Sequence, residues 1–163
     1  MRRLWGLVVC SALFVACGYG ALPSAGTSSP AASPSFNSGT VLIDTSHGSV
    51  LVHVLVAQTP DQWSYGLMNR DSVPADAGMI FLFESPTTSG FWMKDTKVPL
   101  SIAFFDVHGK IERILDMDPC AKAPCRMYSP GLTYNGALEV NQGAFEKWGV
   151  SSGDTIHLTQ SGT

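Results

Sequence analysis

Ser101-Ile102-Ala103-Phe104-Phe105-Asp106-Val107-His108-Gly109-Lys110-Ile111-Glu112-Arg113-Ile114-Leu115 is the stretch that decides the fold. Two runs rich in β-branched and aromatic residues flank His108-Gly109, a hairpin signal. Downstream, Ala137-Leu138-Glu139-Val140 reads as another strand, and Thr155-Ile156-His157-Leu158 as a last one after the turn at Ser152-Gly153-Asp154. Between them Ala144 to Trp148 reads as a short helix stopped by Gly149.

Upstream, Phe91-Trp92-Met93-Lys94 reads as a strand, and Met79-Ile80-Phe81-Leu82-Phe83 is apolar without alternation. A strand buried on both faces has that pattern, because neither face meets water. Thr59-Pro60-Asp61-Gln62 reads as a helix start: Thr59 caps, Pro60 fits the first helical position, and Asp61 suits the positive end. Trp63, Leu67 and Met68 share a face of that helix, which should end before Asp71. Val41-Leu42-Ile43 and Val50 to Val56 flank the turn Thr45 to Ser49 and form a hairpin, with His47 in the turn and His53 an outward or satisfied strand residue. The expectation is an α+β, mainly β domain. About seven to eight short strands make a strongly curved sheet or small barrel, and two short helices cover its open parts.

The N-terminus has a different character. Arg2 and Arg3 precede the thirteen-residue apolar stretch Leu4 to Ala16. That is shorter than the roughly 20 residues a membrane span needs and matches the hydrophobic region of a signal peptide. Phe14-Val15-Ala16-Cys17 resembles a bacterial lipobox, in which the cysteine is lipidated and becomes the new N-terminus. Ordinary cleavage after Gly20 or Ala21 is the alternative, giving a free secreted or periplasmic protein. Gly18 to Gly39 is uncharged and rich in Ser, Ala, Pro and Gly. It cannot bury enough apolar surface to offset its own ordering, and a flexible chain of that length spans on the order of 25 Å. The expected organisation is a signal peptide over 1–16, a lipidation site and flexible linker over 17–39, and one domain over 40–163.

The chain of 163 residues has ten Lys and Arg against thirteen Asp and Glu; removing Arg2 and Arg3 with the leader leaves eight against thirteen, a net charge of about −5. A phosphate-backbone partner needs a basic stripe, and none is present, so no nucleic acid is expected. The implied partners are a membrane, reached through the lipid anchor, and a small-molecule or envelope-polymer ligand.

Five motifs carry a resemblance. Gly66-Leu67-Met68 with Arg70, then Gly78-Met79-Ile80-Phe81, then Trp92-Met93-Lys94-Asp95-Thr96 with Pro99-Leu100 resemble the DUF192 family. Leu138-Glu139-Val140-Asn141 with Gly143, and Gly149-Val150 followed by Gly153-Asp154, continue the likeness. It covers nearly all of residues 40–160, with Asp95 where the family pattern has Asn and Ser101 where it has Asp. It implies a compact β-rich fold and carries over no catalytic residue.

The candidate ligand-binding residues are Arg70, Trp92, Lys94 and Thr96. In an extended strand Trp92, Lys94 and Thr96 point to one face. An indole beside an ammonium and a hydroxyl can hold a ring with an anionic or hydroxylated edge, and Arg70 can add a bidentate grip on a carboxylate or phosphate. The competing reading makes Trp92 a core plug with Lys94 reaching past it to water, and Arg70 a structural partner of Asp71, Asp95 or Glu139. Cys120 and Cys125 are the remaining thiols once the leader is gone and Cys17 is modified, and in an oxidising compartment they read as a disulfide. Met68, Met79 and Met93 sit in apolar runs where thioethers fill cores, so neither copper nor another metal is expected, nor a cofactor. No serine elbow, zinc-protease, phosphate-loop or dinucleotide motif is present. Three function classes remain: a tethered binding module, an enzyme acting on envelope material, and an accessory partner of another envelope protein.

Overall fold

A computed structural model describes residues 33–160. The expected signal segment, Cys17 and the linker up to residue 32 lie outside the described residues. The elements are β1 (Asn37–Thr45), β2 (Gly48–Ala57), α1 (Pro60–Tyr65), β3 (Ala77–Thr87), β4 (Phe91–Trp92), β5 (Leu100–Phe105), β6 (Ile111–Met117), β7 (Met127–Tyr128), β8 (Tyr134–Asn141), α2 (Ala144–Lys147) and β9 (Thr155–Gln160). Seven strands form one sheet in the order β6-β5-β8-β3-β2-β1-β9, and β4 pairs with β7 separately. All neighbours in the large sheet run antiparallel except β2 and β3, which are parallel and joined through α1. Parallel neighbours need such a crossover, whereas β1–β2 and β5–β6 close as hairpins.

The sheet curls into a half-barrel. Its two ends meet where the turn before β6 touches the start of β9: the Ile156 amide donates to the Gly109 carbonyl and the Ile111 amide to Asp154, both at 2.8 Å, with Lys110 bridging Thr155.

Burial follows sheet position. The central strands β3, β5 and β8 are covered on both faces, so they read as continuous apolar runs. All six residues of β5 are buried. Ile80, Ala103, Phe105, Leu138 and Val140 enter a core on one face with Val41, Ile43, Val52, Val54, Phe145 and Ile156. Met79, Phe81, Ile102, Phe104 and Ala137 point the opposite way, into a second core with Leu67, Met93 and Tyr134. The outer strands cover one face only and alternate, as Val52, His53 and Val54 do.

Two local expectations need correction. The first helix ends at Tyr65, because Gly66 takes a positive φ of 50° and turns the chain, so Leu67 and Met68 lie past the helix. Its start is as expected: the Thr59 hydroxyl accepts from the Gln62 amide while the Gln62 side chain accepts from the Thr59 amide. The strand expected over Phe91–Lys94 stops at Trp92. Asp95, with a φ of 52°, turns the chain, so Thr96 is buried instead of sharing the exposed face of Trp92 and Lys94. Asp tolerates this left-handed conformation better than most side chains. Strand β7, between the disulfide loop and β8, is too short to show a period.

Candidate functional site

Six aromatic rings form a continuous cluster across the second core. Trp63 from α1 contacts Phe83 of β3 at 5.0 Å between centroids, and Phe83 meets Tyr134 of β8 edge-on at 5.7 Å. Tyr134 meets Phe104 at 4.8 Å, Phe104 meets Phe91 at 5.7 Å, and Phe91 meets Phe81 at 4.9 Å. Edge-to-face rings of this kind add directionality to plain burial. Two polar tips are fixed: the Trp63 indole donates to the Ala57 carbonyl at 3.1 Å, and the Tyr134 hydroxyl donates to Ser89 at 2.6 Å. Burial pushes the Tyr134 phenol up to about 12.

One side of this cluster is open. Trp63, Phe83, Phe91, Trp92 and Tyr134 line a groove of about 330 Å³. Trp92 is 45% exposed, so it walls the groove and does not plug the core. The groove adjoins a small cavity of about 20 Å³, because Trp63, Ser64, Phe91 and Trp92 line both. Thr96 and Glu139 also line that cavity.

Glu139 is the unexpected member. It lies on the central strand β8, paired with Met79 on one side and Ile102 on the other, and is 4% exposed. Among the described residues its carboxyl has neither a hydrogen-bond partner nor a cation, and burial alone pushes it up to about 8. No fully sealed side-chain oxygen among the described residues lacks a partner. The Glu139 carboxyl therefore opens onto the cavity. A buried acid of this kind is costly unless something meets it, and such groups concentrate at functional sites.

The four sequence-selected residues separate. Trp92 and Lys94 share a concavity of about 540 Å³ with the disulfide loop, and the Lys94 ammonium sits 5.5 Å from the centroid of the Trp92 ring. Thr96 lines the Glu139 cavity beside Trp92, its hydroxyl donating to the Lys94 carbonyl at 3.3 Å. Arg70 lines a different concavity, of about 400 Å³, with His53 and Pro74. It takes none of its expected structural partners among the described residues: Asp71 pairs with Lys97 at 2.7 Å. Cys120 and Cys125 are disulfide-bonded, with Cα atoms 5.6 Å apart.

Sequence reasoning gave Glu139 no place in the site, setting it on a strand, in a family motif and among the structural partners of Arg70, and set Trp63 only on a helix face. A signal for Glu139 was present: a charged residue inside Ala137-Leu138-Glu139-Val140, a run otherwise apolar on both faces.

The DUF192 sequence profile, described as "Uncharacterized ACR", matches residues 42–158. No protein with a curated description is significantly similar in sequence. Among solved structures, a protein from Sinorhizobium meliloti described as "a putative transcription regulator" is similar, with 30% identity and a TM-score of 0.71 over 77% of this chain and 96% of that one. A protein of unknown function from Novosphingobium aromaticivorans is similar too, with 26% identity and a TM-score of 0.67 over 72% of this chain and 83% of that one. With the profile spanning most of its length, this chain belongs to the DUF192 family.

Proposed function

We propose that this protein is a membrane-tethered envelope binding module whose aromatic groove takes a hydroxylated ring, such as a sugar unit of an envelope polymer. The observation that carries this is the groove walled by Trp63, Phe91 and Trp92, with the unpartnered Glu139 carboxyl in the cavity adjoining it. Aromatic faces cover the apolar faces of a sugar ring, while a few convergent polar groups fix its orientation. Thr96 and Glu139 supply those groups from the cavity, and Lys94 flanks Trp92 on the disulfide-loop side.

Titration with soluble peptidoglycan fragments, native and de-N-acetylated, followed by tryptophan fluorescence, tests the reading. Trp92→Ala should weaken binding about tenfold or more, as loss of a central aromatic anchor does. Because Trp92 is half exposed, the same change should alter stability by less than about 2 kcal/mol. Equal affinity in the parent and the variant would exclude the groove.

The tether rests on the signal-like segment and Cys17. A disulfide in the domain supports export, and no helix among the described residues is long and apolar enough to cross a membrane. Cys17→Ser should move the protein from the membrane pellet to the soluble fraction. A variant that still pellets like the parent would rule out lipid at this residue as the anchor.

The enzyme reading has one observation in its favour, the raised Glu139 carboxyl, which suits a general acid near neutral pH. Release of shortened glycan during the same titrations, lost in Glu139→Gln, would favour it over simple binding.

A further inference from the structure

We propose that Glu139 is the anionic partner of a protonated amine on the ligand, so that the groove selects amino-sugar units with a free amine over N-acetylated ones. This rests on the groove being a saccharide site and names the chemical group that enters its cavity.

Three observations lead there. The first is the carboxyl itself, 4% exposed, open to the cavity, and without a hydrogen bond or cation among the described residues. An ammonium is the simplest group that completes it, giving an ion pair with charge-assisted hydrogen bonds. The second is size. A cavity of about 20 Å³ admits one water-sized group, such as an ammonium, and an acetamido group is several times larger. The third is the wall. Trp63, Phe91 and Trp92 line the cavity, and aromatic faces attract a cation. The Trp92 ring already carries one, since the Lys94 ammonium lies 5.5 Å from its centroid. Lys94 lines the disulfide-loop concavity and not the Glu139 cavity, so it leaves the acid free.

The proton balance follows. Free Glu139 holds its proton at neutral pH, and an ionised carboxylate is what an ammonium needs. At a pH below the sugar amine's own pKa, binding therefore sends the carboxyl proton to solvent, one per ligand, while the amine stays protonated. The strands flanking Glu139 place apolar Met79 and Ile102 opposite it. The other titratable group lining the cavity is Tyr65, whose phenol is held below its ordinary value chiefly by its hydrogen bond with Ser33 and also by Asn69. Tyr65→Phe separates its contribution.

The test is calorimetric titration of the intact chain at pH 5.5, where both the sugar amine and free Glu139 hold their protons, with two probes, an oligomer of glucosamine and the same oligomer fully N-acetylated. Repeating each titration in buffers of different ionisation enthalpy counts protons. The free-amine oligomer should bind about tenfold tighter or more and release about one proton, unchanged in Tyr65→Phe. Glu139→Gln should erase both the preference and the release. The proton count needs only the parent chain, so it decides the matter even if that variant folds poorly. Equal or tighter binding of the N-acetylated oligomer, or no proton release, overturns the ammonium assignment and leaves the saccharide groove standing. No binding of either oligomer overturns both.

Discussion

Phe104→Ala is expected to destabilise the domain by about 3–5 kcal/mol, the usual loss for a fully buried aromatic truncated to a methyl. Phe104 is 0% exposed and lies between Tyr134 and Phe91, with edge-to-face contacts to both. Its strand β5 is held by β6 and β8 on either side, so the backbone has little freedom to collapse into the void. A loss of that size is a large share of the roughly 5–15 kcal/mol that stabilises a typical domain. Urea unfolding of parent and variant measures it. A difference below about 1 kcal/mol would mean that the aromatic cluster is not the packed unit described. Trp92→Ala, on the exposed wall of the groove beside that cluster, should change the midpoint far less.

Stability should fall as pH rises from about 5 to 8, and Glu139→Gln should remove most of that slope. Burial raises the Glu139 carboxyl from 4.5 to about 8 in the folded chain. Below its unfolded value both states hold the proton, and the contribution to stability is fully present. Between the two values the unfolded chain ionises while the folded chain stays protonated, so stability declines by roughly 1.4 kcal/mol per pH unit. Above about 8 the folded chain ionises too and the decline levels off. The integrated change is on the order of several kcal/mol. Denaturation midpoints of parent and variant across this range isolate the effect, because every other titrating group is common to both chains. Parallel curves would show that Glu139 is not held protonated.

Most of the sheet was legible because burial leaves a period in the sequence. Met79 to Phe83 lacks alternation and lies on a strand covered on both faces. Val50 to Val56 has one covered face, with His53 outward between buried Val52 and Val54. The hairpin around His108-Gly109 formed as expected because its turn chemistry is local. Tertiary pairings left no such mark. Closure of the half-barrel by Gly109 and Ile156 joins residues far apart in the chain. The break after Trp92 depends on one backbone angle at Asp95, which extended-strand reasoning does not register, and it moved Thr96 off the predicted face. The candidate site was half legible. Trp92 and Lys94 do face one concavity. Arg70 does not join them, because the chain turns at Gly66 and carries it toward His53 and Pro74. Glu139 was readable in principle, yet an acid in a strand ordinarily means a solvent-facing edge. The cover supplied by α1, the turn through Met68, β4 and Thr96 makes its position interior.

The groove can be tested directly through its own indoles. Trp63 and Trp92 line it, whereas Trp148 packs on Phe145, against the core on the other face of the sheet. Indole N–H resonances of the ¹⁵N-labelled intact chain, assigned by Trp→Phe replacement, can be followed during titration with peptidoglycan-derived oligosaccharides, both native and de-N-acetylated. The predicted result is a saturable shift of the Trp63 and Trp92 signals with Trp148 unmoved. Saturable movement of Trp148 alone, or no movement of any indole up to millimolar glycan, would contradict the account.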